Sequence, residues 1–207
     1  MVRRVPVIGV VGGVGSGKSS VAAQLARAGG IVIAGDKLGH EALRQPDIKK
    51  RVQERWGSRV LDDAGEIDRK QLGSIVFADG QERKALEAMT HPYIAQRIRE
   101  EIENALKRPD THLIVLDAAL MLEAGWHGVC DHLVFVDSPR EVRLQRLKER
   151  CGWKARDVDS RESAQMPLTD KKRHADAVVD NSAGLDRLAP QIDRLLIRWG
   201  LVGNPAK

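Results

Sequence analysis

The run Gly12-Gly13-Val14-Gly15-Ser16-Gly17-Lys18-Ser19 satisfies G-x-x-x-x-G-K-[ST] directly after the apolar segment Val7-Ile8-Gly9-Val10-Val11. A strand, a glycine-rich turn and a helix in this order are the structural context that gives the motif its meaning. The glycines let the backbone turn tightly with its N–H groups pointing inward. They form an anion cradle that ends at the positive end of the helix beginning near Lys18. Lys18 is then placed to reach the β- and γ-phosphates of a nucleoside triphosphate, and Ser19 presents a hydroxyl to Mg²⁺. Ala22, Ala23, Leu25 and Ala26 continue as a small-residue helix that can pack closely on a sheet.

Five short aliphatic runs read as strands: Val7–Val11, Ile31–Ala34, Leu113–Leu116, Leu133–Val136 and Ala177–Val179. Helix-like sequence separates them, which predicts a parallel sheet covered on both faces. The first helix, Lys18–Ala28, is ended by Gly29-Gly30. Between Asp36 and Arg108 no comparable strand occurs. Helical periodicity in Lys49–Trp56, Arg69–Phe77 and Lys84–Leu106 predicts an inserted helical region, with a kink or boundary near His91-Pro92. After the fourth strand, Asp137-Ser138-Pro139 starts a helix to about Arg150. Cys151 to Arg173 is polar and charge-dense, which suits a mobile flap. A last helix runs through Ile192, Leu195, Leu196 and Trp199.

The 207 residues fit one α/β domain: core 1–36, 109–150 and 174–207, helical region 37–108 and lid 151–173. The formal charge of +5 is compatible with nucleic acid, but also with the basic surround of a site for several phosphates. Basic residues interleave with acidic ones along the whole chain, without a basic tail or aromatic-rich basic stretch, so no nucleic-acid partner is expected. Cys130 and Cys151 lack metal or redox spacing, which points to reduced thiols and a cytoplasmic location. Arg3-Arg4 precede an apolar run, but the phosphate-binding loop follows at once, so this segment reads as a strand rather than a leader. No membrane partner is expected.

Asp36 follows the second strand at its carboxyl end, where ligands bind in open α/β sheets, and is the candidate general base. The alternative is a helix N-cap for Lys37–Leu43. Asp117 ends the third strand and is a candidate Mg²⁺ partner beside Ser19, or another strand-end cap. Glu123, later in the same loop, is open between a functional and a capping role. Arg146 and Arg150 share a helix face at i and i+4, with Arg143 as a third cation. Together with Arg161 of the flap they are suited to neutralising a transferring phosphoryl group. His91 is by type more often a structural hydrogen-bonding residue, and the remaining histidines lack ligand spacing.

The chain resembles the dephospho-CoA kinase family over nearly its whole length. The resemblance rests on the phosphate-binding loop, Val32-Ile33-Ala34-Gly35-Asp36, Asp68-Arg69-x-x-Leu72 to Phe77, and His91-Pro92. It extends through Leu120-x-x-Glu123-x-Gly125, Arg146-x-x-x-Arg150 and Ala175-Asp176-x-Val178-x-Asp180-Asn181. It implies a three-layer P-loop nucleoside triphosphate hydrolase fold of the nucleoside monophosphate kinase-like kind, with parallel sheet, helical insertion and lid. It further implies ATP and Mg²⁺, and phosphorylation of the ribose 3′-hydroxyl of dephospho-CoA to give coenzyme A.

By the same resemblance Asp36 is the catalytic aspartate, acting with Lys18, Arg146 and Arg150. ATP is held by the loop from Gly13 through Ser19 with Ser20, Arg150 and Asn181. The acceptor is held by Asp36, His91, Leu120, Glu123 and Arg161. A monomer is expected, with a small homo-oligomer open. Three positions depart from the family pattern: Ala34 where many members carry a first acidic residue, Ala119 in place of proline, and Arg143 where glutamine is usual. None removes a group the reaction must have. Another small-molecule kinase of this architecture, and a nucleotide-dependent switch ATPase, remain as alternatives.

Overall fold

The computed structural model describes residues 5–202, so Arg3 and Arg4 lie outside the described residues. Five parallel strands form one sheet in the order β2-β3-β1-β4-β5. They are β1 (Val7–Gly12), β2 (Gly30–Ala34), β3 (Leu113–Asp117), β4 (His132–Asp137) and β5 (Ala177–Asp180). Each contains one of the five aliphatic runs picked out in the sequence. Central β1 is buried along its whole length, which is why it reads as an unbroken apolar run rather than an alternating one. The edge strands expose Val32 and Val178. Register places Asp117 beside both Val10 and Ala34, at the carboxyl ends of three adjacent strands. The helix α1 (Lys18–Ala26) follows β1 through the glycine-rich loop.

The chain divides into two compact units, Met1–Ala34 with Glu101–Lys207, and Gly35–Glu100. The second unit is helical, as the missing strands predicted: α2 (Gly35–Ala42), α3 (Pro46–Trp56), α4 (Arg69–Val76) and most of α5 (Gly80–Leu106). Its core is built from Leu38, Ile48, Val52, Trp56, Leu72, Val76, Ile94 and Ile98, each of them buried. Two polar anchors sit among them. Glu82 accepts from Trp56 Nε1 at 2.7 Å and from Arg55 Nε and Nη2. Glu41 accepts from Tyr93 and from Arg97. Burial, and then the hydrogen bond to Glu41, push the Tyr93 hydroxyl up to about 12.

Of the kink or boundary expected near His91-Pro92, the boundary is absent, since α5 runs through Pro92 as one helix. Proline removes one backbone donor there. Buried Ile94 and Ile98 on one side and the Thr90 hydroxyl bonded to the Leu86 carbonyl on the other hold the helical path. Packing of a buried face stabilises a helix more than a single backbone bond does.

Back in the first unit, α6 (Arg140–Cys151) follows β4, then α7 (Ala155–Glu162), α8 (Leu168–Arg173), β5 and α9 (Leu185–Arg198). The polar stretch expected as a flap is therefore two short helices, and two of its side chains, Val158 and Lys171, are buried. Its composition hid them, because a single valine and a lysine in a charged run give no apolar periodicity. The main core packs Ile8, Val10, Val115, Val134 and Val136 of the sheet against Val21 and Leu25 of α1 and Leu188, Ile192 and Leu196 of α9. No described helix is long and apolar enough to cross a membrane.

Burial pushes the Cys130 thiol up to about 12, whereas Cys151 is exposed. Because the thiolate is the reactive form, iodoacetamide at pH 8 is expected to label Cys151 alone in the native protein. Mass spectrometry should find the second label only after unfolding; equal labelling of both thiols in the native state would contradict this.

Candidate active site

The phosphate-binding loop leaves the carboxyl end of β1 and enters α1 at Gly17, whose φ of 86° and ψ of 32° lie in the left-handed region. A Cβ at Gly17 would stand 2.2 Å from Asn181 Nδ2, so both backbone and space require glycine. The loop's carbonyls are held from outside. Arg143 Nη1 donates to the Val14 carbonyl at 3.0 Å, and Asn181 Nδ2 donates to the Ser16 carbonyl at 2.8 Å. A trans peptide is planar, so its N–H points opposite to its carbonyl. Tying these two carbonyls outward therefore aims the N–H groups of Gly15 and Gly17 away from Arg143 and Asn181, into the cradle. Helix α1 starts with no side-chain cap, which leaves the positive end of its dipole for an anion. Lys18 Nζ bonds the Gly12 and Gly13 carbonyls at 3.3 and 3.1 Å, which keeps its cation in the loop.

Ser19 Oγ lies 2.8 Å from Asp117 Oδ2. The sequence offered Asp117 as a metal partner or a cap; the fold brings it to the Ser19 hydroxyl across 98 residues. A hydroxyl and a carboxylate side by side are hard oxygen donors. They fit Mg²⁺, which uses few protein ligands and keeps waters and phosphate oxygens for the rest.

Beside the loop, a cavity of about 460 Å³ lies among Gly17, Ser20, Arg146, Leu147, Arg150, Asn181 and Leu185. It sits where the connections from β1 and β4 leave in opposite directions along the sheet, the switch point at which open α/β sheets bind ligands. Its volume and its mixture of leucine walls with convergent polar groups suit a nucleoside. Arg146 is fixed there by the Asn181 carbonyl at 2.8 Å and the Ser138 hydroxyl at 3.3 Å. Asn181 thus acts on the loop as well as lining the cavity. Asp176, five residues earlier in the same sequence motif, anchors the amide of Leu133 in β4 at 2.7 Å.

Arg143 does not share the open face of Arg146 and Arg150, as helix spacing suggested. It is buried, bonding the Val14 and Ser138 carbonyls and the Glu162 carboxylate. One acceptor, the Val14 carbonyl, lies 129 residues away, and Glu162 lies on the next helix, so nothing in the local sequence of α6 signals them. Leu147 and Leu185 were likewise missed, since a leucine in a helix carries no sign of which cavity it walls.

Arg161 stacks over Trp153 at 3.8 Å from the ring centroid and donates to the Asp157 carbonyl. Burial pulls its guanidinium somewhat below its usual pKa, opposed by Asp157. Glu123 is engaged by the polypeptide itself: it accepts from the Met166 amide and pairs with Lys171 Nζ at 2.9 Å. Leu120 is half-buried in the turn before it. Lys171, only 1% exposed, also donates to the Ala119 carbonyl and Gln165 Oε1. Breaking a buried ion pair leaves the other charge uncompensated, so Lys171→Ala is expected to destabilise the fold by about 3 kcal/mol. Urea unfolding of variant and wild type measures this, and an unchanged midpoint would contradict it.

Asp36 and His91 belong to the helical unit. Asp36 is not an N-cap: α2 begins one residue earlier, at Gly35, and Asp36 lies in its first turn. One turn on, His40 is held below its usual pKa by burial and by Arg69, with Asp36 acting the other way. His91 is also pulled down by burial, opposed by Glu87.

The glycine loop ending at a helix dipole, on a five-stranded parallel sheet with a nucleoside-sized cavity beside it, places the chain among the phosphate-binding-loop nucleotide-binding proteins. The dephospho-CoA kinase family profile matches residues 6–187. A dephospho-CoA kinase of Bacillus licheniformis is 37% identical, the alignment covering 93% of this chain and 96% of that one. A crystal structure from Thermus thermophilus superposes with a TM-score of 0.79 at 33% identity, covering 97% of this chain and all of the other. A dephospho-CoA kinase from Campylobacter jejuni shares the fold, with a TM-score of 0.67 at 24% identity over 95% and 98% of the two chains. The chain belongs to the dephospho-CoA kinase family, and is an enzyme of the final step of coenzyme A biosynthesis.

Proposed function

We propose that the γ-phosphoryl group of ATP passes to the ribose 3′-hydroxyl of dephospho-CoA with Asp36 as general base. The family match carries this reading, because residues 6–187 include the donor loop, Asp36 and the arginine helix in one chain. Asp36 orients the hydroxyl and takes its proton as the new O–P bond forms and the bond to the β-phosphate oxygen breaks, releasing ADP. Lys18 and the loop N–H groups stabilise the charge that develops on the phosphoryl oxygens. Arg146 and Arg150, on the helix bordering the nucleoside cavity, supply further positive charge. Ser19 and Asp117 are the residues that would hold Mg²⁺, which would supply positive charge to neutralise the phosphates.

The acceptor is held by Asp36, His91, Leu120, Glu123 and Arg161, with residues 37–108 as the acceptor region and 151–173 as the lid. Glu123 acts in part through Lys171 and Met166, whose positions it fixes. The enzyme works as a cytoplasmic monomer and has no nucleic-acid partner.

The test is Mg²⁺-dependent ADP release with dephospho-CoA, adenosine, AMP, shikimate or no acceptor. Release only with dephospho-CoA supports the proposal. Turnover with another acceptor would assign a different small-molecule kinase, and release without acceptor would make the chain a switch-like ATPase.

A further inference from the structure

Arg143 is 4% exposed, and its guanidinium meets three acceptors on three segments. Its Nη1 donates to the Val14 carbonyl of the phosphate-binding loop at 3.0 Å, and its Nε to the Ser138 carbonyl at 3.2 Å. Nη1 also pairs with the Glu162 carboxylate at the end of α7. Glu162 is in turn held by Arg140 at 3.4 Å, and Arg140 also binds Asp159, one turn earlier on α7. The contact with the loop is close: a Cβ on Gly13 would stand 2.8 Å from Arg143 Nη1 and 3.3 Å from Glu162 Oε1.

We infer that Arg143 is a positioning residue that couples the docking of α7 to the aim of a phosphate-binding N–H. The Val14–Gly15 peptide is planar, so the hydrogen bond that draws the Val14 carbonyl toward Arg143 sets the direction of the Gly15 N–H. A buried guanidinium needs an anion, and Glu162 is the one that reaches it. When α7 is docked, Arg143 is neutralised and held on Val14. When α7 moves away, Arg143 loses its counter-charge and the Gly15 N–H loses its fixed direction. Tight ATP binding and a docked α7 therefore favour each other, a reciprocity that any coupling between two states must obey. Glutamine, the residue usual at this place in the family pattern, can donate to a carbonyl but cannot form the ion pair. The coupling thus belongs to the arginine found in this chain.

This inference rests on the reading that the loop binds ATP, and the wild type tests that reading separately by calorimetric titration with ATP. Arg143→Ala, Arg143→Gln, Arg143→Lys and Glu162→Gln are then compared for ATP affinity, for KM and kcat, and for tryptic cleavage at Lys154, Arg156 and Arg161 with and without ATP. Arg143→Ala is expected to raise the ATP KM about tenfold, the loss of one buried charge-assisted contact, and to speed cleavage. Arg143→Lys should recover most of the KM, because an ammonium can still bridge Val14 and Glu162. Arg143→Gln and Glu162→Gln should speed cleavage and weaken its protection by ATP, with a smaller rise in KM.

Leu196→Ala, a core change on α9, serves as the control for general instability, and its KM should stay at the wild-type value. The inference is overturned if Arg143→Ala and Glu162→Gln leave both ATP KM and cleavage unchanged, or if Leu196→Ala reproduces their shifts. Should Arg143→Ala fail to fold, Glu162→Gln decides alone. A wild type that does not bind ATP would overturn the site reading itself.

Discussion

Gly17→Ala is expected to weaken ATP binding by about a hundredfold while the chain keeps its fold. Gly17 has a left-handed backbone, where a side chain costs about 1–2 kcal/mol. Its new Cβ would also fall 2.2 Å from Asn181 Nδ2, the group that holds the Ser16 carbonyl outward. Giving way there means moving a buried asparagine from its partner, at about 1–3 kcal/mol. The two costs sum to a few kcal/mol at the turn that aims the cradle, and about 2.7 kcal/mol already corresponds to a hundredfold. Calorimetric titration with ATP measures the loss, and far-ultraviolet circular dichroism checks that the sheet and helices persist. Binding near the wild-type affinity would mean that the loop is not the triphosphate site.

The second large effect is expected at Asp36. Asp36→Asn keeps the shape of the side chain and its place in the first turn of α2, but removes the carboxylate that would take the acceptor's proton. A general base contributes about 10²–10⁴-fold, so kcat should fall by that factor while the Kd for ATP stays within about twofold. Rapid-quench turnover with saturating acceptor reads the first, and calorimetry the second. If kcat fell less than about tenfold, Asp36 would be an orienting residue at most, and the proton would leave without its help.

The parts legible in the sequence share one property: their signal is local. The five strands are short aliphatic runs, central β1 having no polar side that would break the run. The glycine loop is a fixed spacing whose strand and helix neighbours are adjacent in the chain. Asp117 was legible as a strand end, though not its distance to Ser19, because only the register of β1 with β3 brings the two together. What the sequence hid depends on contacts between remote segments. Arg143 looks like the other arginines of α6 until the Val14 carbonyl and Glu162 are seen around it. Lys171 looks like a surface charge in a basic run, yet Glu123 and the Ala119 carbonyl draw it into the interior. Pro92 carries a breaking signal that the packing of Ile94 and Ile98 overrides.

The most direct test of the central claim is the identity of the product. Incubation of the protein with Mg²⁺, ATP and dephospho-CoA, followed by mass spectrometry and phosphorus NMR, should show one new phosphomonoester per ADP formed. It should sit on the ribose 3′-hydroxyl, and the product should match authentic coenzyme A. Inorganic phosphate in place of a phosphorylated acceptor, or a phosphoryl group at another position, would contradict the account.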